Sequence, residues 1–319
     1  MLRRHLLATP ALLLPAAAGA QGSFPARPIR IVVPWPPGGA TANVARIVGD
    51  AMSPRLGQPL VLDHRPGAGG AIGTDAVAKA APDGYTILMG GAGSFFRPLI
   101  DRDTPFNPER DLGFLGLVGQ GPFALVVRQG LPATLAGFLA HARANPGVLN
   151  VASSGQGATS HLTAELFNAE AGIRATHVPY RGSGPATVDL IAGRVDYYFD
   201  ALGTVLENAR QGRIQMLGVT TEARASQAPD VPTIAEAGLP GFSAAPWWGF
   251  NLPANVPAPV VDRLAAAMGA ALAEPSVVAA LEGQGVVARF LGPAEFGRFV
   301  WTEHAKWART IEAAGLKVS

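Results

Sequence analysis

The 319-residue sequence contains no cysteine. Disulfides, thiol nucleophiles and thiolate metal sites are therefore excluded, and stability must come from packing. Charge is also scarce, at 15% of residues, with no basic block. That argues against nucleic acid or an anionic membrane surface as a partner. After the first twenty residues no uninterrupted apolar run reaches the roughly 20 residues that span a bilayer. Catalytic templates are missing too. There is no H-E-x-x-H, no Walker A loop and no G-x-S-x-G around Ser94, Ser153, Ser154, Ser160 or Ser183. His161 and His177 are separated in sequence on different elements, which gives no support for metal ligation.

What is present begins with an export signal. Arg3 and Arg4 form a basic start, Leu6 to Ala18 is apolar but broken by prolines, and Ala18-Gly19-Ala20 is a small-residue cleavage site. A mature chain would start near Gln21. Removing Arg3 and Arg4 from the 25 basic residues leaves 23, equal to the 23 acidic ones. The Arg pair faintly resembles a twin-arginine signal, and the general secretory route is the default. The expected location is the periplasm.

Hydrophobicity of 48%, with 39 Gly and 28 Pro, describes a folded, turn-rich chain. The length suggests two lobes. Short β-rich runs alternate with helical periodicity: strands at 29–33, 60–62 and 86–89, then at 124–127, 150–152, 177–179, 195–200 and 214–219. A helix opens at Thr41 with Val44, Ile47, Val48, Ala51 and Met52 on one face. This alternation predicts right-handed βαβ units and a mostly parallel sheet. Towards the C-terminus, a strand-like 247–250 precedes two amphipathic helices. Their apolar faces are Val261, Leu264, Met268, Ala271 and Leu272, and Phe296, Phe299, Val300, Trp307 and Ile311.

Three strand–loop–helix junctions carry possible chemistry, because helix N-termini at the carboxyl ends of strands hold anions without any Lys or Arg. The first is residues 34–41, with Trp35, Pro37, Gly38, Gly39, Ala40 and Thr41, where Thr41 either caps the helix or donates to a carboxylate. The second is residues 153–161, dense in hydroxyls and glycine, with Ser154, Gly157, Ala158, Thr159 and Ser160. The third is residues 179–185, with Tyr180, Arg181 and Ser183. Plain capped turns explain the same residues, and spacing alone leaves both readings open. Trp35, Phe95, Phe96, Phe123 and Tyr180 could line an aromatic-friendly pocket or sit in the core. Residues 67–73 approximate a dinucleotide fingerprint, but Ile72 stands where the third glycine of G-x-G-x-x-G belongs.

In order along the chain, RPIRIVVPWPPGGAT (27–41), HRPGAGG (64–70), AAPDGYT (80–86), HVPYRG (177–182), PDVPT (229–233) and AEAG (235–238) resemble the extracytoplasmic solute receptors of tripartite tricarboxylate transporters, the Bug-type binding proteins. The resemblance covers nearly the whole mature chain. It implies a two-lobed, type II-like periplasmic binding protein, each lobe a central sheet flanked by helices, closing on its ligand. It implies lobe one at 21–122 plus 245–319 and lobe two at 123–244. It also implies a small organic carboxylate gripped from opposite lobes by the first two junctions, with Ser94 and Asp200 near the cleft. Membrane transporter subunits would be the partners of a non-catalytic monomer, with no cofactor or metal. A sensory receptor or, less favoured, an exported hydrolase are the competing classes. Two departures stand out. Ala42 replaces the usual Asp, and Arg97-Pro98 replaces the usual Asn-Pro. They suggest a more anionic ligand, or one without an ammonium group, unless Arg97 merely faces solvent.

Overall fold

The computed structural model describes residues 24–313, so the signal segment and its cleavage site lie outside the described residues. The strands are β1 (Ile29–Val33), β2 (Leu60–His64), β3 (Thr86–Gly90), β4 (Leu112–Gln120), β5 (Phe123–Arg128), β6 (Leu149–Ser153), β7 (Ala175–Pro179), β8 (Tyr197–Ala201), β9 (Ile214–Val219), β10 (Trp247–Pro253) and β11 (Val287–Leu291). The helices are α1 (Ala40–Leu56), α2 (Ala71–Ala78), α3 (Ala92–Phe96), α4 (Pro108–Asp111), α5 (Leu135–Ala144), α6 (Thr159–Ala171), α7 (Ser183–Ile191), α8 (Leu202–Arg210), α9 (Ile234–Ala237), α10 (Ala258–Leu272), α11 (Pro275–Gly283) and α12 (Pro293–Ala313).

Two sheets result. One has the order β11-β4-β10-β3-β1-β2, the other β7-β6-β8-β5-β9. The chain crosses from the first to the second between β4 and β5 and returns before β10. Gly121 N–H donates to the Pro246 carbonyl at 3.1 Å, so the two connections run side by side. The expectation of a mostly parallel sheet needs correction. β1, β2 and β3 are parallel, as are β6, β7 and β8, but β4, β10 and β11 form antiparallel pairs, and β5 is antiparallel to both β8 and β9. A strand that carries the chain between lobes reaches its sheet without a crossover helix, so it is free to run against its neighbours.

Local sequence accounts for the elements. β1 is rich in β-branched residues and buried on both faces apart from Arg30, as a central strand flanked by helices must be. Val44, Val48, Met52 and Leu56 recur at every fourth residue of α1 and are buried. Gly57, at φ 69°, then ends that helix with its N–H on the Ser53 carbonyl. β4 reads LGFLGLVGQ, with glycines spread through it, and periodicity gives no strand signal there.

The C-terminal return to the first sheet is an aromatic event. Phe296 of α12 packs edge-to-face on Trp247 of β10 and on Phe114 of β4, at 5.4 and 5.5 Å between ring centroids. Phe95 stacks on Phe114 at 5.4 Å. Phe296, Val300, Trp307 and Ile311 are buried, which is the face that the periodicity marked. Phe95 and Phe96 therefore belong to this core and not to a binding pocket.

Candidate functional site

The carboxyl ends of β1, β3, β6 and β8 face one another between the sheets, around a cavity of about 230 Å³. That is room for a small molecule. The first junction supplies Trp35, Pro37, Gly38, Gly39, Ala40 and Thr41 to the wall, and Ser94 of α3 adds a hydroxyl. From the other sheet come Ser154, Thr159 and Ser160, then Ser183 at the start of α7, and Asp200 at the end of β8. Three of the expected positions are not on the wall. Gly157 donates its N–H to His161 Nδ1 at 3.1 Å, and Ala158 is fully buried behind it. Tyr180 turns away to donate its hydroxyl to Asp189 at 2.7 Å. Burial and that bond push the phenol up to about 12.

Neither Thr41 nor Ser183 caps its helix. α1 starts at Ala40 with Gly39 in the capping position, so Thr41 lies two residues too far in to cap. Its Oγ1 instead accepts from Trp248 Nε1 at 3.2 Å, which leaves the hydroxyl proton to donate. Gly182, not Ser183, precedes α7 in the capping position. Ser183 Oγ donates to Asp200 Oδ1 at 3.0 Å. Ser154 Oγ and Ser160 Oγ lie 2.9 Å apart, and Ser154 N–H donates to Ser160 Oγ. The N-termini of α1, α6 and α7 thus open onto one cavity. Among the described residues its lining holds no Lys, Arg or His. Positive potential there comes from helix ends, backbone N–H groups and hydroxyls.

Asp200 is the one ionisable carboxyl on the described wall. It is 4% exposed. Oδ1 takes the Ser183 hydroxyl and the Ala201 N–H, while Oδ2 has no partner. Burial pushes the carboxyl up to about 7, against the opposing pull of those donors and of Tyr198.

Sequence reading missed several wall residues. Trp247 and Trp248 of β10 arrive from more than two hundred residues beyond Thr41, and Gly90 and Gly91 end β3. The tandem tryptophan was visible, but nothing in its spacing links it to a cleft. Trp35 and Phe123 do reach the cavity.

The glycine run 67–70 finds a different partner from the one its fingerprint suggests. Gly69 sits at φ 60°, and a Cβ there would stand 1.8 Å from the Gln156 carbonyl oxygen of the opposite lobe. The glycines let one lobe close on the other. Arg97 corrects both readings of its charge. It is 6% exposed, absent from the cavity wall, and paired with the buried Asp101. Its NH1 donates to the carbonyls of Ala68 and of Gln156 across the cleft, the latter at 2.7 Å. Gly93 N–H adds a second cross-cleft bond to Thr159 Oγ1 at 3.2 Å. Ala42 is buried in α1, off the cavity wall.

One pair imitates a hydrolase. His177 Nε2 lies 2.6 Å from Ser153 Oγ, and its ring stacks on His161 at 3.8 Å between centroids. Ser153, however, is fully buried, bonds Gly155 and is off the cavity wall. Burial, helped by His161, lowers His177 to about 4. That hydroxyl is closed off from the cavity in this structure.

Comparison with known proteins fits this geometry. The family model described as "Tripartite tricarboxylate transporter family receptor" matches residues 44–316. A "UPF0065 protein in tcbD-tcbE intergenic region" from Pseudomonas sp. (strain P51) is 42% identical, across 97% of this chain and 94% of its own length. An R. palustris protein solved with adipate is 34% identical with a TM-score of 0.87, covering 92% of this chain and 98% of that one. MatC from Rhodopseudomonas palustris, solved with bound malate, is 32% identical with a TM-score of 0.85, over 90% and 100% of the two chains. The chain thus has the two-lobed α/β fold of a periplasmic binding protein and belongs to the solute receptors of the tripartite tricarboxylate transporter family.

Proposed function

We propose that this receptor is exported, matures near Ala20 and works as a non-catalytic monomer in the periplasm. It captures a small carboxylate-bearing organic anion and presents it to the membrane subunits of its transporter. Lobe one comprises 21–122 and 245–319, lobe two 123–244, and they close about the paired connections at Gly121 and Pro246. The observation that carries this reading is the cavity itself, where three helix N-termini and the hydroxyls of Thr41, Ser94, Ser154, Thr159 and Ser160 converge. A carboxylate accepts several such bonds. The adipate and malate held by two relatives support the ligand class.

Ligand binding shifts the open–closed equilibrium only through its preference for the closed form. Thermal melting of the mature protein against a panel of carboxylic acids, with calorimetry on any hit, tests this. An acid at 100 times its dissociation constant adds about 2.7 kcal/mol. Thr41→Val and Ser154→Ala are expected to weaken that effect sharply. A broad panel with no shift at any pH overturns the carboxylate reading.

A further inference from the structure

The cavity combines an anion-seeking wall with a carboxyl of its own. Asp200 lines it, is almost fully buried, and keeps Oδ2 without a hydrogen-bond partner. A buried oxygen of this kind needs a partner, which a ligand brings on closure. Two carboxylates sharing a cavity of about 230 Å³, with no Lys, Arg or His on its described wall, each raise the other's proton affinity.

We propose that the receptor takes up one proton with each carboxylate it captures, and that Asp200 holds that proton. The inference rests on the carboxylate-receptor reading above. The proton comes from solvent and binds Asp200 Oδ2. The resulting O–H donates to an oxygen of the ligand carboxylate. When the lobes open, ligand and proton leave together. No bond other than O–H is made or broken.

The surroundings leave Asp200 alone in this role. α7 presents the Ser183 hydroxyl, while its Asp189 is held by Tyr180 and Arg194. From α6 come the hydroxyl of Ser160 and the pair His161–Glu165, which face each other at 3.6 Å. α8 contributes Thr204 to the wall, with Glu207 on Gln211 and Arg210 on the Gln227 carbonyl. The β5 residue in register is Ala124, and β6 lies alongside Tyr198. Tyr198 is the titratable neighbour, its hydroxyl kept protonated by burial and 3.3 Å from Ser183 Oγ. Across the cavity, lobe one offers Thr41 and Ser94. Burial already sets the empty-site carboxyl at about 7, so uptake becomes complete above that pH.

The experiment is titration calorimetry of the whole mature protein with adipate and with malate at pH 6, 7 and 8.5. At pH 8.5 it is run in phosphate and in Tris, whose ionisation heats differ. The expected result is uptake of close to one proton at pH 8.5 and little at pH 6. Affinity should fall about tenfold per pH unit above 7, because one proton is linked to binding. Asp200→Asn supplies a neutral donor, and it should remove that slope and bind more tightly than wild type at pH 8.5. The proton count on wild type stands even where the variant fails to fold. Binding with no proton uptake, or with affinity that rises with pH, overturns the inference and leaves the carboxylate reading intact. Absence of binding by these acids and the whole panel at pH 6 removes both.

Discussion

Arg97 and Asp101 form a buried ion pair four residues apart, and the arginine spends its remaining contacts on the carbonyls of Ala68 and Gln156. Two charges taken from water are tolerated only together. Asp101→Asn leaves a buried guanidinium without its counter-charge, and about 3–5 kcal/mol of stability should be lost. Urea unfolding measures it, and a loss below about 1 kcal/mol would contradict the buried geometry. His177 makes a second prediction at this scale. Its folded value, about 4, lies below the ordinary 6.5 of an exposed imidazole. Between those values the unfolded chain binds a proton that the folded chain refuses. The stabilising contribution is complete above pH 6.5 and drains away as pH falls towards 4. His177→Gln should flatten the stability profile in that window relative to wild type, as read by denaturant midpoints at pH 4.5 and 7.

At the scale of the element, the loop before α2 is shaped by what it meets. Gly69 combines a left-handed φ of 60° with a carbonyl oxygen 1.8 Å from its missing Cβ. Gly172, which ends α6, has nearly the same φ, 63°, and open space around it. Alanine at either site costs about 1–2 kcal/mol of backbone strain. Only Gly69→Ala also blocks approach of the 153–161 loop. Its ligand affinity should drop at least tenfold, while Gly172→Ala binds like wild type and melts at a similarly lowered temperature. Equal affinities in the two variants would show that closure does not need this contact.

For the whole molecule, the contacts between lobes define the closed form. Gly93 N–H to Thr159 Oγ1 and Arg97 to Gln156 cross the cleft. On another side, Gln227 Nε2 bonds the Glu282 carbonyl. Among the described residues these are few, so opening breaks little and a ligand can bias the equilibrium. Small-angle scattering should show the mature protein compacting when a bound acid is added, and Gly69→Ala should compact less. No change in radius of gyration with ligand would place closure outside the binding cycle.

Local signals in the chain determined much of this. β-branched runs, fourfold spacing in α1 and α12, and glycine-rich loops before helices are short-range patterns that translate directly into strands, faces and turns. They located the loops holding Trp35 to Thr41 and Ser154 to Ser160 because strand–loop–helix junctions are written contiguously. Ordered motifs also pointed to the receptor family. Contacts between distant residues were decided only in three dimensions. β4 carries glycine where a strand pattern should show, and it is held by β10 and β11. Trp247 and Trp248 reach the cavity because the chain returns to its first sheet. Gly69 needs its conformation because Gln156 approaches from the other lobe, and Arg97 is neutralised by packing that composition cannot express. Asp200 was placed near the cleft by resemblance alone. Its orphaned oxygen and raised proton affinity follow from burial, a property of the folded volume and not of neighbours in the chain.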